Sequence, residues 1–341
     1  MLPSRFAAWL TLNRACNLRC DWCYAKMLNF SPKENMSMNT VKMAINLFKG
    51  LPLKNVILIG GEPTIHPNFL EIIALVKEAG LHPLLVTNSI RFTDKKFLKE
   101  TIKAGITGIT TSLKAADDEQ YEKFTGKRVF SDVMEAISNI NAEKIYNKIS
   151  VTVCDGLFHD FERMLDAITK SGCQMFSLDM ERPIIINGET SSPGKASPKE
   201  IAKFFVAAHP KIEACGIRFT VKISIPFCLF PTDFIEKMVA KNQIISGCQI
   251  FNGSGIIIDQ KGRILPCNHF CDNPLGKIGT DFITAEEYIA FRNKPDIKDF
   301  YNTIKSCPHQ NCVDCCQWKF CGGGCRIHWL HRTADELIGN P

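Results

Sequence analysis

The feature that most restricts the fold is an alternation, through the first half of the chain, of short apolar runs with amphipathic stretches. Residues 7–12, 55–60, 84–88, 108–113, 149–154 and 175–179 read as strands. Between them, 37–49, 68–79, 94–104, 132–143 and 158–170 read as helices, with Val41, Ile45 and Phe48 showing the spacing. Ser37 or Asn39 can cap the first helix, and Gly80 stops the second. Apolar strands that alternate with helices build parallel βαβ units. Right-handed crossovers then carry the functional loops to the carboxyl edge of the sheet. Six units within about 180 residues are too few for a closed eight-stranded barrel and fit a partial one.

Further on, 182–197 (RPIIINGETSSPGKAS) is rich in turn formers and reads as a loop. Residues 198–214 read as an amphipathic helix, 218–225 as a strand and 232–245 as a bridging helix. Residues 256–260 and 263–266 read as a hairpin turned at Lys261-Gly262. The expected division is a barrel over 1–200, a linker with a bridging helix over 201–247, and a small cysteine-rich unit over 248–341.

The 341 residues carry a net charge of +6 without long basic runs, so a solvated surface is expected and no nucleic-acid partner. The N-terminus lacks a secretory signal, and no apolar stretch is long enough to span a membrane, which points to a cytoplasmic protein. Sixteen cysteines are many, and more than half fall from Cys248 onward. In a reducing compartment, closely spaced cysteines bind metal more often than they form disulfides.

Cys16-Asn-Leu-Arg-Cys20-Asp-Trp-Cys23 follows the first strand. A loop this compact can turn three thiolates toward one point, and soft thiolates select zinc or iron–sulfur clusters. Three ligands leave one metal corner open, as catalytic sites require and structural sites avoid. A zinc knuckle or three buried thiols is the plainer alternative. About 40 residues later, Gly60-Gly61-Glu62-Pro63 stands where the second strand ends. Its glycines allow close backbone approach to a ligand, and its carboxylate can accept hydrogen bonds from an ammonium group. Asn88 closes the third strand, and Ser112 and Lys114 the fourth. An amide or hydroxyl suits a ribose there, and an ammonium suits a carboxylate.

Together these motifs resemble the signature of the radical S-adenosylmethionine (radical SAM) superfamily. The resemblance implies a partial (βα)6 TIM-like barrel. It implies that Cys16, Cys20 and Cys23 hold three irons of a [4Fe–4S] cluster whose fourth iron binds S-adenosylmethionine. Trp22, before the last cysteine, fits the signature. Gly60, Gly61, Glu62 and Pro63 match the motif that contacts the methionyl amino group. Asn88, Ser112 and Lys114 fall where relatives bind the ribose and the carboxylate.

The C-terminal cysteines are spaced Cys248-x13-Gly262-x4-Cys267, then Cys312-x2-Cys315-x5-Cys321-x3-Cys325. A zinc ribbon built from the last four is the structural alternative. The pattern resembles the SPASM extension, which carries two auxiliary [4Fe–4S] clusters. By that resemblance Cys248, Cys267 and Cys325 hold one cluster, and Cys312, Cys315 and Cys321 hold the other. The chain departs from the full pattern: no cysteine stands shortly before Cys248, and none follows Cys325. Cys271, Cys307 or Cys316 can substitute, or one cluster is absent, as in the shorter twitch variant. Cys154, Cys173, Cys215 and Cys228 lack partners at ligand spacing and are expected to be core packing.

The resemblance implies reductive cleavage of S-adenosylmethionine to a 5′-deoxyadenosyl radical that abstracts hydrogen from a substrate C–H bond. An electron donor such as a flavodoxin or ferredoxin is implied. The leading expectation is modification of a ribosomally made peptide by thioether or carbon–carbon cross-linking. The short segment before Cys16 then calls for a separate leader-peptide-binding protein. Asn268 stands where sulfatase-activating relatives place an aspartate base, which argues against formylglycine formation. The competing expectations are dehydrogenation or epimerisation of a sugar or aminocyclitol, and a non-enzymatic zinc-binding adaptor.

Overall fold

The computed structural model describes residues 6–25, 34–186, 188–192, 194–245, 248–253, 255–271 and 273–339. The six expected units are present: β1 (Ala7–Thr11), α1 (Met38–Lys49), β2 (Asn55–Ile59), α2 (Phe69–Glu78), β3 (His82–Thr87), α3 (Lys95–Ala104), β4 (Gly108–Ser112), α4 (Asp118–Thr125), α5 (Phe130–Ala142), β5 (Tyr146–Val153), α6 (Phe161–Lys170) and β6 (Met175–Met180). β1 to β6 pair in sequence order, all parallel. Ser37 caps α1 by accepting the Thr40 amide at 3.1 Å. Leu10, Val56, Leu58 and Leu85 pack with Val41, Phe48, Ile72 and Val76 of the covering helices in one apolar core. Each such side chain contributes about 1.5–3 kcal/mol by burial. A second core lies under β5 and β6.

The structure differs from the expectation in three places. The 182–197 stretch contains a hairpin of β7 (Ile184–Ile186) and β8 (Glu189–Ser191), paired antiparallel; Asn187 and Pro193 lie outside the described residues. Isoleucines at 184–186 favour strand pairing over the turn formers around them. After α7 (Pro198–Ala214), β9 (Arg218–Lys222) pairs parallel with β6. The bridging helix is shorter than expected: α8 (Thr232–Ala240) ends, and β10 (Ile244–Ile245) pairs with β9. Residues 201–247, expected as linker, therefore extend the parallel sheet. Third, α4 was not foreseen; its Asp117 cap and Gly126 stop bracket few apolar residues.

The hairpin of β11 (Gly255–Ile258) and β12 (Arg263–Leu265) forms as expected, with Gly262 at φ +77°. β11 also pairs parallel with β1, so the C-terminal region continues the sheet at its other edge through β13 (Gly276–Lys277). The sheet remains open. No described helix is long and apolar enough to cross a membrane.

Candidate active site

β1 and β2 lie side by side, so the loops that leave them emerge together. They are stitched backbone to backbone. The Gly61 amide donates to Asn13 O at 2.9 Å and the Glu62 amide to Ala15 O at 2.7 Å. Asn13 Nδ2 donates to Glu62 O at 3.0 Å. A Cβ on Gly61 would stand 2.2 Å from Ala15 O, and one on Gly60 2.3 Å from Asn13 Oδ1. Both glycines are thus required by the approach of the cysteine loop itself. Pro63 opens a single 3-10 turn and is buried.

Glu62 is 1% exposed. Its Oε1 accepts from the Thr64 amide (3.0 Å), Thr64 Oγ1 (2.7 Å) and Thr87 Oγ1 (2.7 Å), and its Oε2 from the Asn88 amide (2.8 Å). Burial raises its pKa, and these hydrogen bonds oppose the rise. Three donors crowd Oε1, while Oε2 takes one and keeps acceptor capacity. Through these bonds Glu62 ties the end of β2 to the end of β3. Asn88 in turn donates through Nδ2 to Asn17 Oδ1 at 2.6 Å, which fastens β3 to the cysteine loop.

The second half of the loop rests on α4. Arg19 and Asp21 amides donate to Thr125 O (2.9 Å) and Phe124 O (3.0 Å), and Trp22 meets Phe124 edge-on at 5.4 Å. Cys16, Cys20 and Cys23 are half-buried and close enough for their charges to repel. Burial, opposed by the Leu18 amide and reinforced by Glu62, Cys20 and Cys23, pushes the Cys16 thiol up to about 12. Burial also raises Cys20, while Lys114 lowers it. Lys114 Nζ lies 6.0 Å from the Trp22 ring centre, so this ammonium serves the cysteine loop. Its own amide accepts a fixed place by donating to Tyr121 Oη at 3.1 Å. Ser112 stands beside Ser150 in the β4–β5 register at the same sheet edge.

Three thiolates crowded in low dielectric are unfavourable without a cationic centre, and a cluster of iron supplies one. A zinc ion needs sulfurs about 3.8 Å apart, set by its 2.3 Å bonds. Among the described residues, no three His, Cys, Asp or Glu side chains stand close enough to grip a single ion. The three thiols are soft donors of the kind that iron–sulfur clusters take.

The C-terminal cysteines lie in two groups. Cys248, Cys267 and Cys325 face one another beside Arg182 and Lys222. The β11–β12 hairpin brings the first two together, and the Cys325 amide donates to Ser224 O at 2.6 Å. Burial raises Cys267 to about 11. Cys312 faces Cys321, Cys228, Cys307 and Cys315. Cys228, expected as core packing, thus sits in the second set. Cys154 and Cys173 are buried as expected; Cys316 is exposed, and Cys271 packs with Trp9, Ile257 and Leu265.

Between the loop and the first of these sets lies a polar row the sequence did not single out. Ser150 Oγ donates to Asp179 Oδ2 at 2.9 Å, and Asp179 is the register partner of Lys222. Burial raises the Asp179 pKa, but Lys222 and Arg182, with Ser150 and Lys148, outweigh it and hold the carboxyl low. The available signal was an acidic residue, Asp179, in a strand otherwise of apolar residues and one serine.

Residues 10–171 match the model of the radical SAM superfamily. With the cysteine loop and the partial barrel in place, residues 10–171 form a radical SAM domain, the mark of an enzyme, and the adaptor expectation is set aside. Among relatives, a probable GTP 3′,8-cyclase of Thermococcus kodakarensis is 28% identical over 190 residues, 54% of this chain and 61% of its own. The PqqA peptide cyclase of Methylorubrum extorquens is 21% identical over 356 residues, all of this chain and 85% of its own. The chain thus spans less than two thirds of the GTP cyclase. In fold, Streptococcus suis SuiB bound to S-adenosylmethionine matches 98% of this chain and 77% of its own, with a TM-score of 0.68 and 16% identity. The enzyme anSMEcpe with bound AdoMet and Cp18Cys peptide matches 98% and 92%, with a TM-score of 0.72 and 17% identity.

Proposed function

We propose that the chain reductively cleaves S-adenosylmethionine and uses the resulting radical to oxidise a ribosomally made peptide, closing a thioether or carbon–carbon cross-link. When bound at Cys16, Cys20 and Cys23, a [4Fe–4S] cluster supplies the electron for that cleavage, drawn from a flavodoxin- or ferredoxin-type donor. The protein's part is positioning. Glu62 and Asn88 hold two strand ends against the loop, Lys114 offsets thiolate charge, and Trp22 and Phe124 cover one side. In this reading 1–200 holds the cofactor. Residues 248–341 hold auxiliary clusters on Cys248, Cys267 and Cys325 and on Cys312, Cys315 and Cys321. The reaction belongs in a reducing, cytoplasmic setting.

The observation that carries the peptide reading is the extent of similarity. The GTP cyclase matches about half of the chain, whereas the peptide cyclase matches all of it, including the C-terminal cysteines. A solved SuiB structure holds the precursor peptide SuiA, and the chain shares that fold over 98% of its length. Anaerobic, reconstituted protein given dithionite is expected to release deoxyadenosine, and the triple alanine variant at Cys16, Cys20 and Cys23 to release none above background. Incubation with a peptide encoded beside the gene is expected to yield a product lighter by about two hydrogens. Conversion of an amino sugar instead of the peptide would overturn the peptide reading.

A further inference from the structure

The second C-terminal set contains more sulfur than its spacing pattern supplies. Cys312, Cys315 and Cys321 lie on one segment and supply three ligands. Residues 224–229, which follow β9, lie directly on this segment. The Phe227 amide donates to Cys321 Sγ at 3.3 Å, and the Cys325 amide donates to Ser224 O. A Cβ on Gly324 would stand 2.5 Å from Ser224 O, so the two stretches touch backbone to backbone.

Cys228 is on that stretch. Its charge acts on both Cys312 and Cys321, and it is the only thiol that does so from the barrel side among those facing Cys312. Its sulfur accepts the Gly339 amide at 3.5 Å. Cys321 Sγ likewise accepts backbone amides from Phe227, Gly323 and Gly324. Sulfurs that receive backbone N–H bonds are set up as thiolates, and such bonds tune iron–sulfur clusters. Both Cys228 and Cys307, the other nearby thiol, also donate to a carbonyl, to Leu337 O at 3.9 Å and to Cys312 O at 3.6 Å, but Cys307 lies on the C-terminal segment itself and Cys228 on the barrel loop packed against it.

We infer that Cys228 is the fourth protein ligand of the auxiliary cluster held by Cys312, Cys315 and Cys321. The cluster thereby staples the barrel loop after β9 to the C-terminal segment. The inference rests on the auxiliary-cluster part of the reading above. A fully ligated cluster has no open iron for substrate, so its role is electron transfer, and any open iron belongs to the set of Cys248, Cys267 and Cys325.

The test uses full-length chain in which Cys16, Cys20 and Cys23 are alanine, so that only auxiliary iron remains. Anaerobic reconstitution is expected to give about eight irons per chain. Adding Cys228→Ala is expected to lower this to between about four and about seven, with loss of one reduced-cluster EPR signal or its replacement by a three-iron signal. Cys307→Ala is expected to leave iron and spectrum unchanged. Cys228→Ser, which keeps the size and offers oxygen, is expected to keep the irons and shift the g-values. Unchanged g-values in Cys228→Ser, or iron loss in Cys307→Ala alone, overturns the assignment. So does a parent with only about four irons, which means no second auxiliary cluster. Deoxyadenosine release by the wild-type chain stays separate and judges the radical SAM reading on its own.

Discussion

Glu62 accepts the backbone amide of Asn88 at 2.8 Å across 26 residues of sequence. Its other oxygen holds Thr64 and Thr87. Glu62→Gln keeps the shape but turns an amide donor toward the Asn88 N–H while the other oxygen keeps its three donors. A donor left facing a donor in a buried site costs about 1–3 kcal/mol. The variant is expected to melt at lower temperature in the metal-free state and to bind S-adenosylmethionine more weakly. Unchanged melting with collapsed cofactor affinity would show instead that the carboxylate touches the ligand.

Gly61 carries a second prediction. A Cβ there would sit 2.2 Å from Ala15 O and 2.4 Å from Arg14 O, both backbone atoms with no rotamer to yield. Gly61→Ala is expected to push the cysteine loop off the turn and reduce iron at Cys16, Cys20 and Cys23 at least several-fold. The C-terminal sets, far along the chain, keep theirs. Iron assay beside a variant lacking the C-terminal cysteines separates the two pools. Equal loss from all sites would point to general unfolding.

The cysteine loop, the glycine turn and the two C-terminal sets were legible because each is written in local spacing. The six parallel units were legible for the same reason, since apolar runs and helical periods alternate without interruption. What was not legible depends on contacts distant in sequence. The tie that Glu62 makes was hidden because its donors come from strand ends that only register brings together. Cys228 looked like core because its partners lie some way along the chain, across a packed loop. The strand at β9 was read, but not its place in the sheet, because its pairing with β6 depends on contacts distant in sequence. Lys114 was read toward a cofactor carboxylate; that its charge also acts on Cys20 could not be read from the sequence, nor could α4, whose polar sequence hid it.

That charge gives a third prediction. Cluster potentials follow net charge close to the sulfurs. Lys114→Met removes a cation that favours the Cys20 thiolate and that any added electron would also feel. The midpoint potential of the N-terminal cluster is expected to fall, and deoxyadenosine release with a weak reductant to fall with it. Lys114→Arg is expected to restore both. An EPR-monitored redox titration in which the methionine variant matches wild type would remove Lys114 from this role.

Glu213, near the end of α7, fixes the region that had been expected as linker. It pairs with Lys241, accepts from Gln243 Nε2 at 3.1 Å and lies 3.3 Å from Lys237, joining α7 to α8 and the start of β10. The Lys241 and Gln243 hydrogen bonds, with Lys237, outweigh burial and hold its carboxyl down at about 2, against an ordinary 4.5. A carboxylate with a depressed folded-state pKa binds fewer protons folded than unfolded between those values. Its stabilising effect is therefore complete above pH 4.5 and is lost as pH falls toward 2. Glu213→Gln is expected to lower the urea midpoint at pH 7 and to narrow its difference from wild type as the pH drops through that window. Parallel curves at all pH values would mean that the charge contributes nothing, and that α7 is held to α8 by apolar packing alone.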